Sequence, residues 1–161
     1  MNEDITDRFI AEYSGDDTRI KFAWNGKHED DFEDANEQFR NDVVERVLSQ
    51  TSSVKLALIV DLYRALAAWS SEAWCIDSRV EDLARLMIEL GGQDVARDFI
   101  VGAMASFDAQ YATLFSGARK EIIDRCLEHS QAKLDAADSE DERAIWLFAL
   151  EHFGKLRKAA S

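Results

Sequence analysis

The chain contains no proline, although it is 161 residues long. Average usage of about 5% would supply several prolines, which fix φ and interrupt helices and inner strands. Only seven glycines occur, and none of them forms a Gly-x-Gly arrangement. The scarcity of both residues favours helices joined by short links, and it leaves no glycine-rich loop that could hold a phosphate group.

Cysteine and positive charge are scarce as well. The two cysteines, Cys75 and Cys126, match no spacing that is typical of a zinc site, so both thiols are expected to be free in a reducing compartment. Asp and Glu outnumber Lys and Arg by 32 to 19, which gives a formal net charge of −13. A surface with this charge repels nucleic acid and anionic lipid, and it attracts basic proteins.

Long apolar runs are missing too. No run approaches the roughly 20 residues that a helix needs to cross a bilayer. The first residues lack the basic and apolar regions of a secretory signal. We therefore expect a cytoplasmic protein that contacts neither membrane nor nucleic acid.

What the sequence does contain is apolar residues at helical spacing, in steps of three and four. Such stripes run through residues 3–14, 31–50, 53–74, 78–90, 94–115, 118–136 and 140–156. The segment 53–74 is apolar nearly all round, which indicates a central helix that its neighbours bury. Patterns of the capping-box type at 78–81 and 139–142 predict helix starts, and Gly91-Gly92 predicts a helix end.

These observations predict an all-α fold of six to seven antiparallel helices, stacked as αα-hairpins around the central buried helix 53–74. Residues 1–161 are expected to form a single domain, with 1–50 as an acidic N-terminal layer and 53–161 as the main helical core. One short extended segment is expected near 19–24, because Ile20, Phe22 and Trp24 alternate with other residue types and no second alternating run pairs with them.

The densest polar cluster is His28-Glu29-Asp30-Asp31-Phe32-Glu33-Asp34. It has neither the residue order of a calcium loop nor the His-Glu-x-x-His of a zinc helix, so a solvated helix start capped by Asp30 or Asp31 is the simpler interpretation. Neither cysteine has the electropositive surroundings that activate a nucleophile. No catalytic, cofactor-binding or metal-binding residue is therefore assigned, and a metal-dependent enzyme is the third of three hypotheses.

Two tryptophans, Trp69 and Trp74, stand five residues apart at the end of the central segment. On a helix this spacing turns them about 140° apart, so only one can face the core squarely. The simpler interpretation is that both still pack into the core; otherwise the other is exposed, or the helix ends between them. An exposed tryptophan at the edge of an acidic face is a common form of protein-binding hot spot.

The preferred functional hypothesis is a non-enzymatic domain that presents a rigid acidic surface to a basic protein partner. A bacterial immunity or antitoxin-type protein that covers a cationic toxin has these gross properties. The predicted partner-binding residues are Trp24, Glu29, Asp30, Asp31, Glu33, Asp34 and Glu37. Neutralising Asp30, Asp31 and Asp34 is expected to slow association and to leave folding stability nearly unchanged.

The alternative is a helical adaptor or self-associating regulatory domain. It would form a homodimer through the wide apolar face near Trp146 and Phe148.

Overall fold

A computed structural model describes residues 3–50, 53–106, 108–109 and 120–159 of the chain. It confirms the all-α fold: within these ranges the backbone includes seven α-helices and three 3₁₀ turns, with one isolated β-bridge and no strand. The helices are α1 (Glu3–Glu12), α2 (Glu37–Ser49), α3 (Leu56–Ala73), α4 (Arg79–Gly91), α5 (Ala96–Ala103), α6 (Lys120–Asp135) and α7 (Glu140–Ala159). The 3₁₀ turns are Thr18–Ile20, Glu29–Asp31 and Gly92–Val95. None of the described helices combines the length and apolarity that a membrane span requires.

Helix α3 is the central element, as the apolar segment 53–74 predicted. Helices α2, α4 and α5 and the first 3₁₀ turn all pack against it. Its fully buried side chains include Leu58, Ile59, Leu62 and Tyr63. Because α3 is apolar on most sides, removing its surface from water is the main source of stability in this part of the fold.

Polar contacts join α3 to the rest of the molecule. Tyr13 is the residue that follows α1, and its hydroxyl donates a hydrogen bond to the Asp61 carboxylate. The Arg64 guanidinium pairs with Asp98 of α5. An ion pair between Asp61 and Arg64 would be the local expectation for residues three apart. In the structure, Asp61 and Arg64 instead pair with residues that are distant in the sequence, because both side chains face a neighbouring element.

Helix α5 packs tightly against α3 at Gly102. The Tyr63 hydroxyl donates a hydrogen bond of 2.8 Å to the Phe99 carbonyl. A Cβ added to Gly102 would lie 2.2 Å from the Tyr63 ring. The small residue at position 102 therefore permits this packing.

Helices α6 and α7 form the last αα-hairpin. Cys126 of α6 is buried, and burial raises the pKa of its thiol to about 12. Phe153 of α7 is also buried, with its ring 6.2 Å from that of Phe99. Ser139 caps α7 as predicted, since its Oγ accepts a hydrogen bond of 3.2 Å from the Glu142 N–H.

Helix α2 begins at Glu37, six residues later than the periodicity of 31–50 predicts. The reason is a backbone pairing that the sequence does not reveal. The Asn25 N–H donates to the Glu33 carbonyl at 3.0 Å, and the Ala35 N–H donates to the Ala23 carbonyl at 3.1 Å. The prediction of an extended segment near 19–24 is wrong at its start, because Thr18–Ile20 forms a 3₁₀ turn. The end of the segment does have a partner, and the isolated bridge joins Trp24 to Asp34.

Helix α5 ends at Ala103, whereas the apolar stripe predicts a helix that continues to residue 115. Ser106 accounts for the break, because its Oγ accepts a hydrogen bond of 3.0 Å from the Ala109 N–H in the manner of a helix cap. Similarly, Asp77 rather than Ser78 caps α4, through a bond of 2.9 Å from the Arg79 N–H. Several predicted stripe and link residues lie outside the described ranges, namely Phe107, Tyr111, Leu114, Phe115, Ser116, Gly117, Thr51 and Ser52.

The packing around Gly102 generates a stability prediction with a matched control. We expect Gly102→Ala to lower the free energy of unfolding by about 1–3 kcal/mol, because the added methyl overlaps the Tyr63 ring. Gly154 lies inside α7 with nothing within 4 Å of the position that a methyl group would occupy, so Gly154→Ala should raise that free energy by about 0.5–1 kcal/mol. Urea unfolding of the two variants measures both changes. Equal effects of the two substitutions would contradict this account of the α3–α5 contact.

Candidate functional site

Two distant segments of the chain meet at one surface. The His28 ring stacks on Trp74 with a centroid distance of 4.7 Å and an interplanar angle of 15°. The Trp24 ring lies 4.7 Å from that of His28 at an angle of 52°. His28 Nδ1 is 3.1 Å from the Glu72 carbonyl oxygen, which ties the loop to the end of α3. The sequence singled out Trp24 and Trp74 separately, and the fold brings them together.

We call this region the aromatic–acidic surface. It comprises Trp24, His28 and Trp74 together with Glu29, Asp30, Asp31, Glu33 and Glu72.

Trp74 is the most exposed large apolar residue among those described, at 66% of its maximal area. Helix α3 ends at Ala73, so the helix does end between the two tryptophans. Trp69 is half-buried and meets the Phe32 ring edge-on at 6.2 Å. The helix end and the exposure of Trp74 thus occur together, and the simpler interpretation, in which both tryptophans pack into the core, is wrong.

Two residues of the surface have left-handed backbones. Trp74 has a φ of 53° and Glu29 a φ of 59°. Such a conformation costs a residue other than glycine about 1–3 kcal/mol, and it clusters at binding and catalytic sites. The exposed Trp74 side chain gains little burial energy that would offset this cost. A left-handed residue is also a common helix ending, and Asp16 has the same conformation (φ 56°) outside this surface, so the conformation by itself assigns no function.

Hydrogen bonds hold the loop between Trp24 and Asp31 in one conformation. Trp24 Nε1 donates to the Lys27 carbonyl at 2.6 Å. Asn25 accepts from the Lys27 N–H at 3.0 Å and donates to the Asp31 carbonyl at 2.7 Å. The Trp24 ring and the following acidic turn are therefore positioned before any partner binds.

Asp34 does not belong to the surface, which corrects the predicted set of contact residues. Its carboxylate and the Arg40 guanidinium form an ion pair in which both side chains are fully buried. Asp34 Oδ1 also accepts hydrogen bonds of 3.0 Å from the Ala23 N–H and 3.1 Å from the Asn36 N–H. Neutralising Asp34 is therefore expected to cost stability, contrary to the expectation from the sequence.

The other predicted contact residues are accessible to different degrees. Glu29, Asp30, Asp31 and Glu33 are exposed, and the first three form a 3₁₀ turn. Trp24 and Glu37 are half-buried. Glu37 lies at the start of α2. The hydrogen bond to Asp77 is the main cause of the raised pKa of Arg79, and the negative charge of Glu37 adds to it.

His28 and Glu72 belong to this surface, although the sequence did not predict them as contact residues. Among the described residues no three His, Cys, Asp or Glu side chains come together in a way that could hold a metal ion. No local pattern distinguishes an imidazole that will stack between two indoles. Helix α3 ends just before Trp74 and places that indole beside the loop, and only the structure shows this contact with His28.

A separate pocket of about 320 Å³ lies between α3, the end of α1 and the first 3₁₀ turn. Its charged residues pair with one another or with close neighbours. Asp61 accepts from Tyr13, Lys21 pairs with Asp16, and Arg64 pairs with Asp98 outside the pocket. Burial and the Asp61 carboxylate raise the pKa of Tyr13, so its hydroxyl stays protonated at neutral pH. The charged side chains that line the pocket are therefore already paired within the protein and do not form a set of groups directed at a ligand.

The two remaining histidines lie on the last hairpin, away from the aromatic–acidic surface. Burial lowers the pKa of both His129 and His152, and nearby basic side chains lower it further. The His129 ring packs edge-on against Trp146, with centroids 5.7 Å apart. Neutral imidazoles packed on aromatic rings are typical of structural positions.

The chain matches no protein-family model, no curated protein and no solved structure. The geometry and charge of the molecule itself are therefore the basis for a functional proposal. The aromatic–acidic surface is the region where exposure, strain and charge coincide.

The buried ion pair generates a second stability prediction. We expect Asp34→Ala to lower the free energy of unfolding by about 3–5 kcal/mol, because it leaves the Arg40 charge buried without its partner. The matched control is Glu33→Ala, since Glu33 is the exposed neighbour and should change the free energy by less than about 0.5 kcal/mol. Urea unfolding measures both. Similar small losses in both variants would show that Asp34 has no structural role.

Proposed function

We propose that this chain is a non-enzymatic, acidic helical domain that binds a basic protein through the aromatic–acidic surface. The observation that carries the proposal is the exposed Trp74 indole beside the acidic turn Glu29–Asp31. Tryptophan is enriched among residues that contribute most to protein binding, and complementary charge brings partners together quickly. One surface here supplies both.

Charge supports a basic partner rather than a neutral one. Glu29, Asp30, Asp31 and Glu33 are exposed, and within the loop they follow a single cation, Lys27. The whole chain carries a formal charge of −13. Such a surface accelerates encounter with a cationic protein and discriminates against anionic ones.

Rigidity supports tight binding by a small domain. The Trp24–Asp31 loop is held by its own hydrogen bonds, and the buried Asp34–Arg40 pair anchors the segment that follows it. A surface that is already ordered loses little conformational entropy on binding. More of the free energy of the contacts with the partner then contributes to the affinity.

The setting that fits these properties best is a bacterial immunity or antitoxin-type protein, acting in the cytoplasm to cover the basic surface of a toxin. This proposal requires no catalytic group, cofactor or metal. It requires only a preformed acidic surface with an aromatic anchor.

Charge neutralisation tests the proposal directly. The partner is first identified by co-purification from the native cell at low salt. The combined variant Glu29→Gln, Asp30→Asn, Asp31→Asn should then lower the association rate constant by about tenfold, because electrostatic steering is lost. Stopped-flow kinetics over a series of salt concentrations measures the rate constant and its salt dependence. Folding stability should change by less than about 0.5 kcal/mol.

The matched control removes three exposed carboxylates elsewhere, through Asp82→Asn, Glu89→Gln and Asp94→Asn on α4 and the turn that follows. It makes the same change in net charge at a different place. If both triple variants slow association equally, net charge rather than the aromatic–acidic surface steers the partner. If neither does, the proposed binding surface is wrong.

A second candidate function has an observation of its own. Ile145, Leu147 and Phe148 of α7 are exposed, each at 44% or more of its maximal area. Ile145 and Phe148 are three residues apart and share one side of α7, whereas Leu147 points about 160° away from Ile145. Exposed apolar side chains are typical of a protein-contact surface, so α7 is the region through which a self-associating regulatory domain would dimerise.

Sedimentation equilibrium distinguishes this alternative. It predicts a homodimer of the purified chain without any partner, and it predicts that the double variant Leu147→Asp, Phe148→Asp is monomeric because charged side chains resist burial at an interface. A wild-type chain that sediments as a monomer at micromolar concentration excludes the alternative and leaves the first proposal unaffected.

A further inference from the structure

We infer that the open face of the Trp74 indole is a platform on which an arginine side chain of the basic partner stacks. The inference rests on the proposed function and adds the chemical identity of the group that is recognised. It starts from the ring arrangement at the aromatic–acidic surface.

The Trp74 indole has one face covered by a ring and one face open. His28 lies on the covered face, nearly parallel to the indole at 4.7 Å. With 66% of the residue exposed, the opposite face remains in contact with water. A flat aromatic surface of this kind offers a large contact area and a negative electrostatic potential at its face.

The covered face already shows which type of group this indole accepts. His28 is a planar side chain with two ring nitrogens, and its Nε2 lies 3.9 Å from Glu72 Oε2. A planar nitrogen group is thus stacked against the indole and approached by a carboxylate at its edge. An arginine on the opposite face would repeat this arrangement with a full positive charge.

Carboxylates lie close to the covered face of the indole, beside His28. Glu72 precedes Trp74 by two residues, is 36% exposed at its side chain and approaches His28 with its carboxylate. The exposed turn Glu29–Asp31 begins directly after His28. Their charges add to the negative potential that attracts a guanidinium to this surface.

Arginine fits this surface better than lysine does. The guanidinium is planar, delocalised and weakly hydrated, so it can stack on an indole while its edge N–H groups bind carboxylates. The ammonium of lysine is a compact and strongly hydrated charge without a flat face. An apolar partner group fits least, because it would remove carboxylates from water without replacing their hydrogen bonds.

Two model peptides test the inference on the full-length protein. Hexa-arginine and hexa-lysine peptides carry the same charge, and they are titrated separately into ¹⁵N-labelled protein at low salt. The chain has four tryptophans, so the spectrum contains up to four indole N–H signals. The Trp74→Asn variant identifies the Trp74 signal by its disappearance, and asparagine tolerates the left-handed backbone at this position.

We expect hexa-arginine to shift the Trp74 indole signal and to bind about three- to fivefold more tightly than hexa-lysine. In Trp74→Asn the two peptides should bind with equal affinity, close to that of hexa-lysine for the wild type. Trp74→Gly provides a second variant with the same expectation. Phe148→Asn is the matched control, because it removes an exposed aromatic ring from α7 and should keep the preference for arginine.

The outcomes separate this inference from the proposed function. If both peptides bind the wild type equally, or if Trp74→Asn keeps the arginine preference, the stacking inference is overturned while the acidic docking surface stands. If neither peptide binds, both fail. An arginine preference that disappears in both Trp74 variants and persists in Phe148→Asn supports the inference.

Discussion

The buried ion pair between Asp34 and Arg40 joins the N-terminal loop to helix α2, and the remaining features of the loop depend on it. Arg40 also donates to the Lys21 carbonyl at 3.3 Å, while Asp34 accepts from the N–H groups of Ala23 and Asn36. One charge pair therefore holds both ends of the segment 21–36. A pair of charges without water is stable only when hydrogen bonds satisfy the remaining atoms, which these backbone contacts largely do.

The loop held in this way carries the acidic turn and presents it next to the end of α3. There the His28 ring stacks on Trp74 and meets the Trp24 ring at an angle of 52°, and the left-handed Trp74 turns the chain away from the helix. The proposed binding role gives the exposed indole and the surrounding carboxylates one common partner group.

The molecule thus has two surfaces with different chemistry. The aromatic–acidic surface combines an indole with carboxylates, and it suits a cationic partner that arrives by electrostatic steering. The α7 surface is apolar, with Ile145 and Phe148 exposed on one side of the helix, and it suits a contact driven by removal of apolar area from water. The first surface is preformed and combines aromatic area with charge, which is why it is the preferred site.

The sequence by itself determined the fold class and the central position of α3, because the spacing of apolar residues is a local property that tertiary packing reinforces. It indicated that Trp69 and Trp74 point in different directions, but it left open whether either is exposed. It could not separate Asp34 from Asp30 and Asp31, since all three are carboxylates in one acidic run. Only the tertiary structure decided that Arg40 buries the first and that the others remain in water. It likewise decided that Trp74 meets His28, because that contact joins residues 46 positions apart through the packing of whole elements.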